Sequence, residues 1–136
     1  MKNYFDVCIE EAKKSLDTGD VPIGAILVKD KKIIAFGHNT REKEHNILGH
    51  AEINVIKDAS KILSRWNLAD CELYVTLEPC SMCKEVIKQA RIKKVYYLLT
   101  KLSFKKEYDR TNFEKIDGEN ELMYAKILAD FFKQFR

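Results

Sequence analysis

The chain has 136 residues, 46% of them hydrophobic, enough to fill the core of one domain. No apolar run reaches the ~18 residues of a membrane span, and the start, Met1-Lys2-Asn3-Tyr4-Phe5-Asp6, lacks the long apolar stretch of a signal peptide. A net charge of +3 excludes a strongly polyanionic or polycationic chain. A cytoplasmic location and one domain over residues 1–136 are expected.

Residues 3–17 read as an amphipathic helix, with Phe5, Cys8, Ile9, Ala12 and Leu16 at helical spacing. Thr18-Gly19-Asp20 ends it with turn chemistry. Pro22 to Val28 and Ile33 to Gly37 are β-rich apolar runs, and Lys29-Asp30-Lys31-Lys32 between them predicts an antiparallel hairpin. Residues 38–49 read as a polar loop. From about His50 the period is helical again, with Val55, Ile56, Ala59, Ile62 and Leu63 on one stripe.

Leu73 to Leu77 predicts a strand, stopped by Glu78-Pro79, and a helix runs from about Cys80 to Ala90. Lys94 to Thr100 is a fourth strand. Residues 101–112 read as loop or short helix, and Phe113 to Ile116 as a short fifth strand. A terminal helix spans Glu119 to Phe135, with Tyr124, Ile127, Leu128, Phe131, Phe132 and Phe135 on one face. The order implies an α/β fold: three layers, helices on both faces of a mixed sheet of about five strands. The two strand–helix–strand units are expected to run parallel.

Lys93, Lys94, Lys101, Lys105, Lys106 and Arg110 fall close together and read either as a phosphate-contacting cluster or as a solvated lysine-rich surface. Four cysteines in a cytoplasmic chain argue against a disulfide framework. Cys8 and Cys71 stand alone and read as small buried hydrophobes.

Cys80 and Cys83 are different. Three residues apart at a helix start, both thiols can share one face. Unpaired N–H groups and the helix dipole there favour thiolate, the form that zinc binds. Pro79 suits the position just outside the helix. His50 supplies a third ligand. Two sulfurs and one imidazole hold one Zn2+ per chain and leave the fourth tetrahedral position for a water or hydroxide, as in a catalytic rather than a structural site. Glu52, two residues from His50, is the candidate proton shuttle. Residues i and i+2 do not face one another on a regular helix, so His50 has to lie at the helix edge.

Alone, Cys80-x-x-Cys83 also fits a redox dithiol, and an isolated His-x-Glu fits an ordinary histidine and a helix carboxylate. The joint pattern, His-x-Glu followed by Pro-Cys-x-x-Cys, is the signature of zinc-dependent base deaminases.

These residues resemble the cytidine-deaminase-like superfamily, and within it bacterial tRNA-specific adenosine deaminases. Val21-Pro22-Ile23-Gly24-Ala25, Gly37-His38-Asn39-Thr40-Arg41-Glu42, His50-Ala51-Glu52-Ile53, Leu73 to Cys80 and Ala90-Arg91-Ile92 carry the likeness. The resemblance implies a CMP/dCMP deaminase-type zinc domain that converts adenosine to inosine at the tRNA wobble position, with Glu52 moving protons. It implies that Asn39 hydrogen-bonds the flipped base and that Arg41 lies near the nucleic acid. A turn residue and a free surface side chain are the competing readings. It also implies a homodimer on the anticodon stem-loop, helped by Phe131-Phe132-Lys133. The stretch from Leu98 to Tyr108 departs from the pattern: it has no glycine, and Lys101 stands where an acidic residue is expected. A free-base deaminase acting on cytosine or guanine is the alternative.

Overall fold

The computed structural model describes residues 3–101, 111–116 and 118–134. The chain divides into two compact units, Met1–Ser103 and Phe104–Arg136. In the first, helix α1 (Tyr4–Lys14) and a 3₁₀ turn (Leu16–Thr18) lead into strands β1 (Gly24–Lys29) and β2 (Lys32–His38). Then follow α2 (Arg41–Glu44), α3 (Ala51–Leu63), β3 (Glu72–Leu77), α4 (Ser81–Gln89) and β4 (Lys94–Leu99). The second unit contains α5 (Glu119–Lys133).

The sheet order is β2-β1-β3-β4. β1 is antiparallel to both β2 and β3, while β3 and β4 are parallel. β2 and β3 therefore do run parallel, but with β1 between them. The β1–β2 turn places Asp30 and Lys31 at φ 50° and 65°, the left-handed pair whose twist matches that of flanking strands.

Burial explains why β1 reads as unbroken apolar sequence. Ala25 and Leu27 point into a core shared with Val55, Ala59, Val75 and Ile87. Ile26 and Val28 point the other way, against Cys8 of α1 with Tyr4, Phe5 and Tyr74 around them. A strand covered on both faces needs no polar alternation. The expected three-layer architecture is thus formed, with α1 on one face and α3 and α4 on the other.

Two expectations change. The sheet has four strands among the described residues. Phe113 to Ile116 forms no strand, with Phe113 and Ile116 largely exposed, because a four-residue run broken by Glu114-Lys115 offers one apolar side chain at each end and no continuous face. The polar loop before α3 contains the short helix α2. α5 forms as expected and buries none of its described residues; the expectation for Phe135 lies outside the described residues, as do those for 102–110.

Two glycines set the distance between layers. A Cβ on Gly24 would stand 1.9 Å from the Cys8 carbonyl oxygen of α1, and one on Gly37 would stand 2.6 Å from the Ala51 carbonyl oxygen and 2.9 Å from the Val55 nitrogen of α3. Those neighbours are backbone and cannot rotate away. Gly24→Ala and Gly37→Ala should each cost about 1–3 kcal/mol in urea unfolding, the usual range for overpacking a core. Unchanged unfolding midpoints would show that the helices can retreat freely.

Candidate functional site

The site lies where two helices begin. His50 is the N-cap of α3, in extended conformation (φ −94°, ψ 146°). Cys80 is the N-cap of α4 (φ −70°, ψ 171°), and Cys83 sits in its first turn. N-cap positions usually hold Ser, Thr, Asp or Asn, whose oxygens satisfy the helix's own N–H groups. Here they hold an imidazole and a thiol that turn toward each other. His50 thus lies at the helix edge, as sharing a site with Glu52 requires.

His50 Nδ1 is 3.8 Å from Cys80 Sγ and 3.4 Å from Cys83 Sγ. The three ligand atoms all fall within 4.8 Å of one another, close enough to hold one metal ion. Tetrahedral zinc, with bonds of about 2.3 Å to sulfur and about 2.0 Å to nitrogen, separates those atoms by about 3.6 Å. The two measured spacings bracket that value, so the donor set fits zinc in size as well as in chemistry.

The electrostatics are prepared for a cation. The Cys80 thiol is held down to about 4, first by the Cys83 thiol donating to it, and further by the Cys83 and Met82 N–H groups and the charge on His50; burial opposes them. The Cys83 thiol is raised, because it gives its hydrogen to Cys80 and because it is buried. These surroundings favour the thiolate form of Cys80.

Glu52 is buried at 3% exposure. Burial pushes its carboxyl up to about 7; the negative Cys80 adds to the rise, while its own N–H, Cys83 and Lys101 oppose it. Its Oε1 has no hydrogen-bond partner among the described residues. Such an atom costs about 1–3 kcal/mol unless something else supplies a hydrogen. An unsatisfied carboxylate oxygen beside a three-ligand cluster is a receptor for a water or a substrate N–H.

Asn39 is buried, and its Oδ1 accepts from the Ala51 N–H at 2.8 Å. Its Nδ2 has no partner among the described residues. Arg41 opens α2, half-exposed, with Nη2 3.4 Å from Glu42 Oε1. Of the basic cluster, Lys93 and Lys94 are exposed and Lys101 is half-buried; Lys105, Lys106 and Arg110 lie outside the described residues. Phe131 and Phe132 stack edge to face in α5, their centroids 5.4 Å apart.

Three supporting residues were missed by the sequence reading. Asn54 donates to the His38 carbonyl at 2.8 Å and to Thr40 Oγ1 at 2.9 Å. Its signal was available: it lies four residues after His50, on the same helix side. Asp20 accepts from the Glu42 N–H at 2.6 Å and the Lys43 N–H at 3.3 Å, so it caps α2 from a distant loop. Glu78 accepts from the Lys101 N–H at 3.1 Å and from Lys84 Nζ at 3.2 Å, tying the chain beyond β4 to the entry of α4. Nothing in local sequence announced these last two.

The thiol order is testable on metal-free protein. At about pH 6, iodoacetamide should label Cys80 first, because the thiolate is the nucleophile. Cys8, raised to about 12 mainly by burial, and Cys71, raised to about 11 by burial and Asp70, should react only after unfolding. Mass spectrometry of the digested protein reads the order, and early labelling of Cys8 would contradict it.

The whole chain, residues 1–136, matches the MafB19-like deaminase family model. It is 48% identical over 94 residues to the tRNA-specific adenosine deaminase of Bacillus subtilis (strain 168), a match covering 69% of this chain and 58% of that protein. The chain thus spans less than two thirds of that relative's length. A structure from a study of A-to-I editing by tRNA:A34 deaminases at the wobble position superposes with a TM-score of 0.70 at 39% identity, covering 72% of this chain and 75% of the other. The guanine deaminase of Bacillus subtilis superposes with a TM-score of 0.82 at 27% identity, covering 96% and 95%. With its site geometry and these likenesses together, the chain belongs to the MafB19-like deaminase family.

Proposed function

We propose that this protein is a zinc-dependent hydrolase that converts adenosine to inosine at the wobble position of tRNA. The observation that carries the chemistry is the unpartnered, buried Glu52 oxygen beside the His50, Cys80 and Cys83 cluster. The 48% identity to a tRNA-specific adenosine deaminase supports the substrate. His50, Cys80 and Cys83 are the proposed zinc ligands, and zinc bound there would lower the pKa of a water enough to make it a nucleophile near neutral pH.

The chain's own work is proton transfer and orientation. Glu52 accepts a proton from the attacking water and delivers it to a ring nitrogen, so that a C–O bond forms at C6 of the flipped base. It then takes the remaining proton from the new C6 hydroxyl and passes it to the departing amine. The C–N bond breaks, and water and adenosine become inosine and ammonia. A carboxyl raised toward 7 is matched to both roles, since donor and acceptor forms are both populated near neutral pH. Asn39, through Nδ2, donates to the base, and Arg41 contacts the RNA backbone nearby. Burial of Glu52 keeps its carboxyl from bulk water. The working form is a cytoplasmic homodimer on the anticodon stem-loop.

A second reading, deamination of a free base, is favoured by the near full-length superposition on guanine deaminase. One preparation offered an adenosine-wobble tRNA, guanine, cytosine and free adenosine separates the two. Inosine formed only in the tRNA supports the main reading; turnover of a free base with none on tRNA replaces it. In the same assay Glu52→Gln should keep its zinc, by metal analysis, and lose about 10²–10⁴-fold in rate, the usual worth of a general acid–base group. Retained turnover would remove Glu52 from its role.

A further inference from the structure

Helix α3 begins without help from its own N-cap residue. His50 makes no side-chain bond to the helix it starts, because its imidazole faces the two cysteine sulfurs. The N–H of Ala51, the first residue of the helix, donates to Asn39 Oδ1 at 2.8 Å, and both residues are buried.

Asn39 is itself held tightly. Its N–H donates to the Ile23 carbonyl at 3.2 Å. Its carbonyl accepts from Ser15 Oγ, a fully buried hydroxyl, at 2.9 Å. On either side, the His38 carbonyl and Thr40 Oγ1 both accept from Asn54 Nδ2, and Asn54 closes the first turn of α3 through its own N–H to the His50 carbonyl at 2.9 Å. The carboxamide is thus aimed from the 3₁₀ region, the entry of β1 and α3 together.

We infer that Asn39 is a positioning residue for the metal site: its Oδ1 pairs the N–H of Ala51, the first residue of α3, while His50 at the N-cap leaves its imidazole to the two sulfurs. The bond fixes Ala51, the residue between His50 and Glu52, and so sets where the ligand and the proton carrier point. The two atoms of the Asn39 amide then have separate duties. Oδ1 is held against the helix, and Nδ2 is the donor the side chain can offer to anything entering the site. The inference rests on the metal-site part of the proposed function and is independent of which substrate is used.

A carboxylate at position 39 keeps the acceptor and loses the donor, so Asn39→Asp and Asn39→Ala separate the duties. Zinc affinity, measured by competition with a chromophoric chelator, should fall about 10- to 100-fold in Asn39→Ala, the typical cost of removing a group that orients a ligand. In Asn39→Asp it should return to near the wild-type value, since an anion is also welcome at a helix N-terminus. Amide hydrogen exchange at Ala51 should rise in Asn39→Ala and recover in Asn39→Asp. KM for whichever substrate the wild type turns over should stay raised in both. A merely structural residue would lower the thermal midpoint without moving the zinc affinity of the folded protein. If Asn39→Ala does not fold, Asn39→Ser, too short to reach Ala51, takes its place with the same expectation. Wild-type zinc affinity in the truncated variant, or affinity in Asn39→Asp as weak as in Asn39→Ala, overturns the inference. A wild-type chain that binds no zinc overturns it together with the metal-site reading, and so is told apart from failure of the Asn39 role alone.

Discussion

The structure depends on how closely the first turn of α3 is seated on the end of β2. Gly37 lets the two backbones meet, since any side chain there would strike the Ala51 carbonyl and the Val55 nitrogen. Asn39 and Asn54 then stitch the same two segments together from opposite directions. A β2–α3 contact of this kind is stiff, because it is made by close-packed main chain and by two hydrogen-bonded amides, Asn39 buried and Asn54 half-buried. The proposed ligand His50 and the proposed proton carrier Glu52 both ride on that first turn.

The same device appears at the second helix with a different residue type. Cys80 takes the N-cap position of α4 and turns its sulfur to the cluster, while the Met82 and Cys83 N–H groups help hold it as thiolate. Both helices thus direct their N-terminal ends, the positive ends of their dipoles, toward a cluster that carries negative charge when its thiols ionise. That field favours the thiolate. Glu52, two residues into α3, is buried enough that its carboxyl rises to about 7 despite the nearby helix start. Two acids of one site are therefore pushed apart by their surroundings, Cys80 toward its base form and Glu52 toward its acid form.

Around this centre the fold is a frame. α1 and the α3–α4 pair bury the alternating faces of β1, so the strands carrying the site into its loops are immobilised on both sides. Asp20 reaches across to cap α2, and Glu78 fastens the chain leaving β4. The loops at the carboxyl ends of β2 and β3 deliver Asn39 and Cys80 to one side of the sheet. This is where ligands bind in parallel α/β arrangements, although here β1 is interposed antiparallel.

Much of this was legible from sequence, because it is written locally. The helical stripe through Val55, Ile56 and Ala59, the apolar run of β1, the breaker Glu78-Pro79 and the spacing of Cys80 and Cys83 each report on neighbours a few residues away. The pairing of His50-x-Glu52 with Pro79-Cys80-x-x-Cys83 was enough to pick out three residues that the structure brings together, with Glu52 buried beside them. Phe113 to Ile116 misled for the complementary reason: β-formers in a short run state a preference, but a strand exists only where a partner accepts its hydrogen bonds. What tertiary structure alone decided is the role of groups whose partners are distant in sequence. Asn39 and Ala51 are twelve residues apart, Asp20 and Glu42 twenty-two, Glu78 and Lys101 twenty-three. No local pattern encodes a hydrogen bond that forms only once two layers are pressed together at the distance set by a glycine.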